Sequence, residues 1–79
     1  MNNLEKYNQA FTESFMVEKN QLKDLKYQDV NEWDSVGHMS LIAELEDNFE
    51  IEMDIDDIID FSSYEKGKEI LKKYNVEIK

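Results

Sequence analysis

Apolar residues recur every three or four positions in three separate stretches of the chain, and this spacing limits the fold to helices. The first stripe predicts an amphipathic helix from about residue 3 to about residue 18. Its apolar members are Leu4, Tyr7, Phe11 and Phe15. With 79 residues, no Pro and only two Gly, the chain has no linker, and we expect a single domain, 1–79, with one small core.

The helical period returns after Asp34-Ser35 and continues to about Phe49. Steps of about 100° per residue place one set of side chains on a common face, which we expect to contact the core. That set is Leu41, Ile42, Leu45 and Phe49. Residues 19–33 lack the period and predict a long loop held by scattered apolar anchors, a type of loop that is often functional or contains a short helix.

Two further helices are expected after this point. Residues 56–61 predict one or two helical turns, with acids at the N-terminus, where the helix dipole favours them. Ser62 followed by Glu65 has the form of a capping box and would begin a last helix. The predicted fold is therefore all-α, a small four-helix bundle of three longer helices and a short third one, with a long loop between the first two.

Negative charge is concentrated in the middle of the chain. The sequence has 19 acids and 9 basic residues, none of them Arg, and residues 34–60 alone hold ten acids and no Lys. Nucleic-acid binding is disfavoured, because it depends on cationic side chains, and basic protein partners are favoured. No apolar run is long enough to span a membrane, and the polar start at Met1 is not typical of a signal peptide. We expect a cytoplasmic protein.

Ser35 is the candidate site residue, because it follows an acid at the start of a helix. A serine in this position is most often only an N-cap. A helix N-terminus also suits a covalently attached phosphate, since its free N–H groups and dipole favour negative charge, and Gly37 has no side chain to crowd such a group. His38 could be interpreted as a base for Ser35, but its position on the core side of the helix favours a structural or phosphate-neighbouring role.

These residues resemble the acyl carrier proteins and the wider phosphopantetheine-binding domains of peptidyl carriers. The resemblance covers nearly the whole chain, and the Trp-Asp-Ser-x-Gly-His form is most similar to stand-alone carriers of specialised pathways. Its most specific part is Asp34-Ser35, followed by apolar residues at 36, 39, 41, 42 and 45, and then by Glu46, Phe49, Ile51 and an apolar residue at 53.

The resemblance implies that Ser35 receives a 4′-phosphopantetheine arm from coenzyme A through a phosphopantetheinyl transferase. The thiol of the arm would then carry an acyl group as a thioester, in a chain that has no Cys of its own. The protein would be a monomeric carrier that serves enzymes and is not itself one.

The outer face of the second predicted helix is the expected docking surface for acyl-loading and acyl-transfer enzymes with basic patches. Helical phase places three apolar residues beside acids on the side opposite the core face. The positions that match the family's contact surface are Asp34, Val36, Met39, Ala43, Glu46 and Asp47. The competing interpretation is that this helix is buried on two sides.

Two other functions stay open at this point. A plain helical adaptor would bind a basic partner through the same surface, with Ser35 only as a cap, and a peptidyl or aminoacyl carrier would differ in its cargo. A calcium site is disfavoured, because Ile59 stands where an EF-hand loop requires Gly. The acids and hydroxyl at the other positions of that loop are Asp54, Asp56, Asp60, Ser62 and Glu65.

Overall fold

The protein is all-α in the computed structural model, which describes residues 2–79. The all-α part of the prediction is confirmed, and Met1 of the predicted domain lies outside the described residues. Within them there is no strand, only an isolated antiparallel bridge between Lys26 and Ser63, and no helix is both long and apolar enough to cross a membrane. The helices are α1 (Asn3–Phe15), α2 (Ser35–Phe49), α3 (Ile55–Asp60) and α4 (Tyr64–Lys72), with a 3₁₀ turn at Lys19–Gln21.

The α1 helix is shorter than the apolar period predicts. It ends at Phe15, three residues before the expected end near residue 18, because Met16 adopts a left-handed conformation (φ 55°). That residue changes the direction of the chain. Leu22, seven positions after Phe15, would continue the apolar spacing of α1, but it lies in the loop and is buried there.

The α4 helix begins one residue later than the predicted capping box. Ser63, and not Ser62, is the N-cap, and its hydroxyl accepts a hydrogen bond from the Lys66 N–H (3.0 Å). The carbonyl of Ser62 instead accepts the Tyr27 N–H (2.9 Å). The capping prediction was wrong because a contact with the distant loop decides which of the two adjacent serines caps the helix.

Aromatic side chains form the centre of the core, where α1 packs along α2. The ring of Phe11 lies 5.0 Å from Tyr7 and 5.5 Å from Trp33, both edge to face, a geometry that stabilises aromatic pairs. The Tyr7 hydroxyl donates to the Tyr64 carbonyl (2.6 Å). Three of the four residues expected on the core face of α2 are fully buried, and Phe49 is half-buried against them.

The long loop before α2 is held in place by buried apolar residues, as predicted. Leu22, Leu25 and Trp33 are all buried, and the loop includes the 3₁₀ turn. The Leu25 carbonyl accepts the Tyr64 N–H (2.9 Å), which attaches the loop to the start of α4. The end of this loop fixes where α2 begins, and therefore where Ser35 lies.

A buried carboxylate connects α3 to the end of α4. Asp57 is only 4% exposed, and its oxygens accept hydrogen bonds from the Lys73 ammonium (2.6 Å) and the Tyr74 hydroxyl. Tyr74 in turn accepts the Asp54 N–H (2.9 Å). The hydrogen bond from Lys73, followed by that from Tyr74, lowers the pKa of Asp57 below its ordinary value of 3.8.

Asp57→Asn should lower the stability of the fold near neutral pH. A carboxyl whose pKa is lowered by folding contributes stability above its unfolded pKa, and that contribution is lost as the pH falls through the folded pKa. The difference in urea midpoint between wild type and Asp57→Asn should therefore be constant from pH 5 to 7 and shrink below about pH 4. Asp56→Asn, at the exposed neighbouring position, is the control. An equal loss in both variants would contradict the assigned role of Asp57.

Candidate functional site

The first turn of α2 presents Ser35 to solvent. Asp34 is the N-cap, and its carboxylate accepts the Gly37 N–H (2.8 Å). Ser35 is the first helical residue and is exposed. The interpretation of Ser35 as a cap was wrong, because the aspartate before it already fills that role, and the hydroxyl is therefore not occupied by capping the helix.

Gly37 is required by the loop rather than by a group attached to Ser35. A Cβ atom on Gly37 would lie 1.8 Å from the carbonyl oxygen of Glu32. The backbone of the loop therefore passes directly over the first turn of the helix, on the side where a side chain would stand. The expectation that Gly37 leaves space for a phosphate is corrected accordingly: the space is taken by Glu32.

His38 is engaged through both ring nitrogens. The indole N–H of Trp33 donates to Nδ1 (2.9 Å), and Nε2 lies 2.7 Å from the carbonyl oxygen of Ile58. An indole N–H only donates and a carbonyl only accepts, so the imidazole is neutral, with its proton on Nε2. Neither nitrogen is free to take a proton from Ser35, and the structural interpretation of His38 is the one that fits the geometry.

An apolar groove lies beside Ser35, between α2, α3 with the turn that follows it, and Tyr27 of the long loop. It has a volume of about 450 Å³, and nearly all of its surface is apolar. Two serines, Ser35 and Ser62, are among its lining residues. The other lining residues are Tyr27, His38, Met39, Ile55, Ile58, Ile59 and Phe61.

The part of this groove that α3 contributes was not predicted from the sequence. Ile55 and Ile59 are each 72% exposed and extend the apolar surface of α2. The signal for it in the sequence is the segment itself: a helix of six residues with three isoleucines and three aspartates cannot bury all of its apolar side chains. No periodicity argument places α3 against α2, because that contact depends on the folded loop.

The outer face of α2 is exposed where the helical phase predicted, so the interpretation of a helix buried on two sides was wrong. Val36 is 73% exposed and Met39 53% exposed. Asp34, Ala43 and Asp47 are exposed as well.

Glu46 differs from the rest of the expected docking set. It is half-buried, and its Oε2 accepts the Met53 N–H (2.9 Å). This hydrogen bond holds the connection between α2 and α3. Glu46 therefore has a structural contact that the sequence did not reveal, and a substitution there would disturb more than a surface charge.

The EF-hand alternative does not fit the structure. The segment that would form the loop is helical from Ile55 to Asp60, and Asp57 turns inward to Lys73. In the part of the chain that the structure describes, no group of three or more acidic or histidine side chains is arranged to hold a metal ion.

Comparisons of the chain with protein-family models, with curated proteins and with solved structures found no match. The functional interpretation therefore depends on the geometry around Ser35 and on the sequence pattern.

Gly37→Ala should destabilise the protein by about 1–3 kcal/mol, the usual cost of forcing extra volume into a packed site. Inside a helix the same change ordinarily stabilises a protein by about 0.5–1 kcal/mol. The contact with Glu32 should turn this gain in the free energy of unfolding into a loss. Urea unfolding measures the effect. Ser40→Ala, on the exposed part of the same helix, is the control and should be neutral or slightly stabilising. A stabilised Gly37→Ala would show that the loop does not press on the first turn of α2.

Proposed function

We propose that this chain is an acyl carrier protein, folded as the four-helix carrier bundle, with a 4′-phosphopantetheine arm attached to Ser35. The observation that carries the proposal is the exposed hydroxyl of Ser35 at the first position of a 15-residue helix, directly beside an apolar groove. The phosphate of an arm attached there would lie near the positive end of the helix dipole. The arm would supply the thiol that a chain without Cys lacks.

The groove supports a carrier of apolar acyl groups over a carrier of aminoacyl groups. A charged amino group placed in a cavity with almost no polar lining would lose hydration without gaining partners. An apolar chain would instead be favoured there by removal from water. The cargo would reach the groove from Ser35, which is itself one of the lining residues.

The exposed faces of α2 and α3 would dock the partner enzymes. Val36 and Met39 offer apolar contact area beside Ser35. Residues 34–60 carry ten acids and no Lys, and one of these acids, Asp57, is paired with Lys73 from outside the segment. An apolar patch surrounded by negative charge fits an enzyme surface with apolar side chains and a basic rim. The expected partners are a phosphopantetheinyl transferase and acyl-loading and acyl-transfer enzymes.

Transfer of the arm tests the proposal. The protein is incubated with coenzyme A, Mg²⁺ and a promiscuous phosphopantetheinyl transferase, and its intact mass is measured. Wild type should gain the mass of one phosphopantetheine group, and Ser35→Ala should gain none. Ser40→Ala, which removes another exposed hydroxyl from the same helix, should be modified like wild type.

An unchanged wild-type mass, with an accepted carrier modified in the same reaction, would contradict the proposal. That result would favour the adaptor interpretation, in which the same surface binds a basic partner without a prosthetic group. Modification of Ser35→Ala would place the arm on another residue.

Asp47→Lys should slow the arm-transfer reaction at low salt by roughly a few-fold in kcat/KM, because opposite charges accelerate the encounter of the two proteins. Asp47 is exposed on the outer face of α2 and tests the surface charge, whereas Glu46 also bonds to Met53. Glu13→Lys makes the same change in net charge on an exposed position of α1.

The effect of Asp47→Lys should disappear near 1 M salt, where the screening length is about 3 Å. Equal slowing by Asp47→Lys and Glu13→Lys would contradict docking through α2.

A further inference from the structure

The short helix α3 depends on contacts from outside itself. Isolated helices below about 12 residues are marginal in water, and α3 has six. Its two exposed isoleucines contribute little to the core, since each is 72% exposed. In its N-terminal half, Asp57 is fixed by Lys73 and Tyr74, just after α4. A second contact is needed to hold its C-terminal half against α2.

His38 makes that second contact. The last four carbonyl groups of a helix have no partner inside it, and the Ile58 carbonyl is one of these in α3. The imidazole Nε2 lies 2.7 Å from that oxygen. His38 belongs to the first turns of α2, three residues after Ser35, and both residues line the groove. The hydrogen bond therefore connects the two helices directly beside Ser35.

Trp33 fixes the ring of His38 for this purpose. Its indole N–H donates to Nδ1 (2.9 Å), and the two rings lie nearly parallel, with an angle of 15° between them. Trp33 is itself fully buried and stacked on Phe15, with ring centroids 4.8 Å apart. Because Nδ1 must accept, the single proton of the neutral ring is on Nε2, where the Ile58 carbonyl requires a donor.

We infer that His38 is a positioning residue: oriented by Trp33, it holds α3 at the Ile58 carbonyl and so fixes the wall of the groove beside Ser35. The importance of this wall for an attached acyl group rests on the proposed carrier function. The positioning of α3 is independent of that function, and it can be measured on the protein without an arm.

Nuclear magnetic resonance offers a clean readout, since the chain has one His and one Trp. In the wild type at neutral pH, ¹⁵N shifts of the imidazole should show a neutral ring protonated at Nε2, and the Trp33 indole N–H should be protected from exchange. A ring protonated at Nδ1, or a charged ring, would overturn the inference without any variant.

Two substitutions separate the two hydrogen bonds. In His38→Asn the side-chain oxygen is near the position of Nδ1 and can still accept from Trp33, but the side chain is too short to reach Ile58. In His38→Gln the amide N–H group is near the position of Nε2 and can still donate to Ile58. The measured quantity is hydrogen exchange of the Ile58 amide, which donates to the Asp54 carbonyl in α3 (3.0 Å).

Exchange at Ile58 should accelerate by about tenfold or more in His38→Asn relative to wild type, and by much less in His38→Gln. The Gly67 amide, which donates to Ser63 in α4 (3.0 Å), is the internal reference. Equal acceleration at Ile58 and Gly67 would mean that the variant weakens the whole fold, and unchanged exchange at Ile58 would mean that His38 does not hold α3. Either result would overturn the inference.

If His38→Asn fails to fold, His38→Gln and the wild-type ring decide the matter. His38→Gln should keep Ile58 protected while the Trp33 indole loses protection, and loss at both would overturn the inference. A failure of arm transfer to Ser35 would leave these exchange results unchanged, so the two proposals fail separately.

Discussion

The burial of Trp33 is the constraint on which the rest of the site depends. Its indole is fully buried and packs against Phe11 and Phe15 of α1. Ser35 follows two residues later, so the anchored ring determines where α2 begins. The N–H of the same indole orients His38, and His38 reaches α3. One side chain thus connects the core, the end of the long loop, the first turn of α2 and the wall of the groove.

Local sequence patterns predicted the parts of the structure that depend on local forces. The period of three and four located α2 from Ser35 to Phe49, and the same phase separated the buried Leu41 and Leu45 from the exposed Val36 and Met39. The acids of α3 were predicted from the helix dipole, and the loop anchors from apolar residues that lie outside the helical period. Burial of apolar surface and the helix dipole act over a few residues, so a single sequence contains enough information for them.

The features that could not be predicted depend on contacts that form only once the loops and turns are folded. The requirement for glycine at position 37 comes from the Glu32 carbonyl, which passes over it. The choice of Ser63 as the cap of α4 follows from the hydrogen bond between the Tyr27 N–H and the Ser62 carbonyl. Helical phase assigned Glu46 to the surface. Its hydrogen bond with the Met53 N–H forms only when the turn after α2 is folded, so the phase could not reveal it. The groove has the same origin, since three segments of the chain converge on it. Helical phase identifies which side chains share one face of a helix, but it does not identify the segment that packs against that face.

The proposed function depends on the attachment of a phosphopantetheine arm to Ser35 in the cell. It is tested most directly by isolating the protein from the cells that naturally make it and measuring the mass of the proteolytic fragment that contains Ser35. The proposal predicts that this fragment is heavier by one phosphopantetheine group, free or acylated, and that fragmentation places the group on Ser35. A fragment that is entirely unmodified, or a modification on another residue, would contradict it.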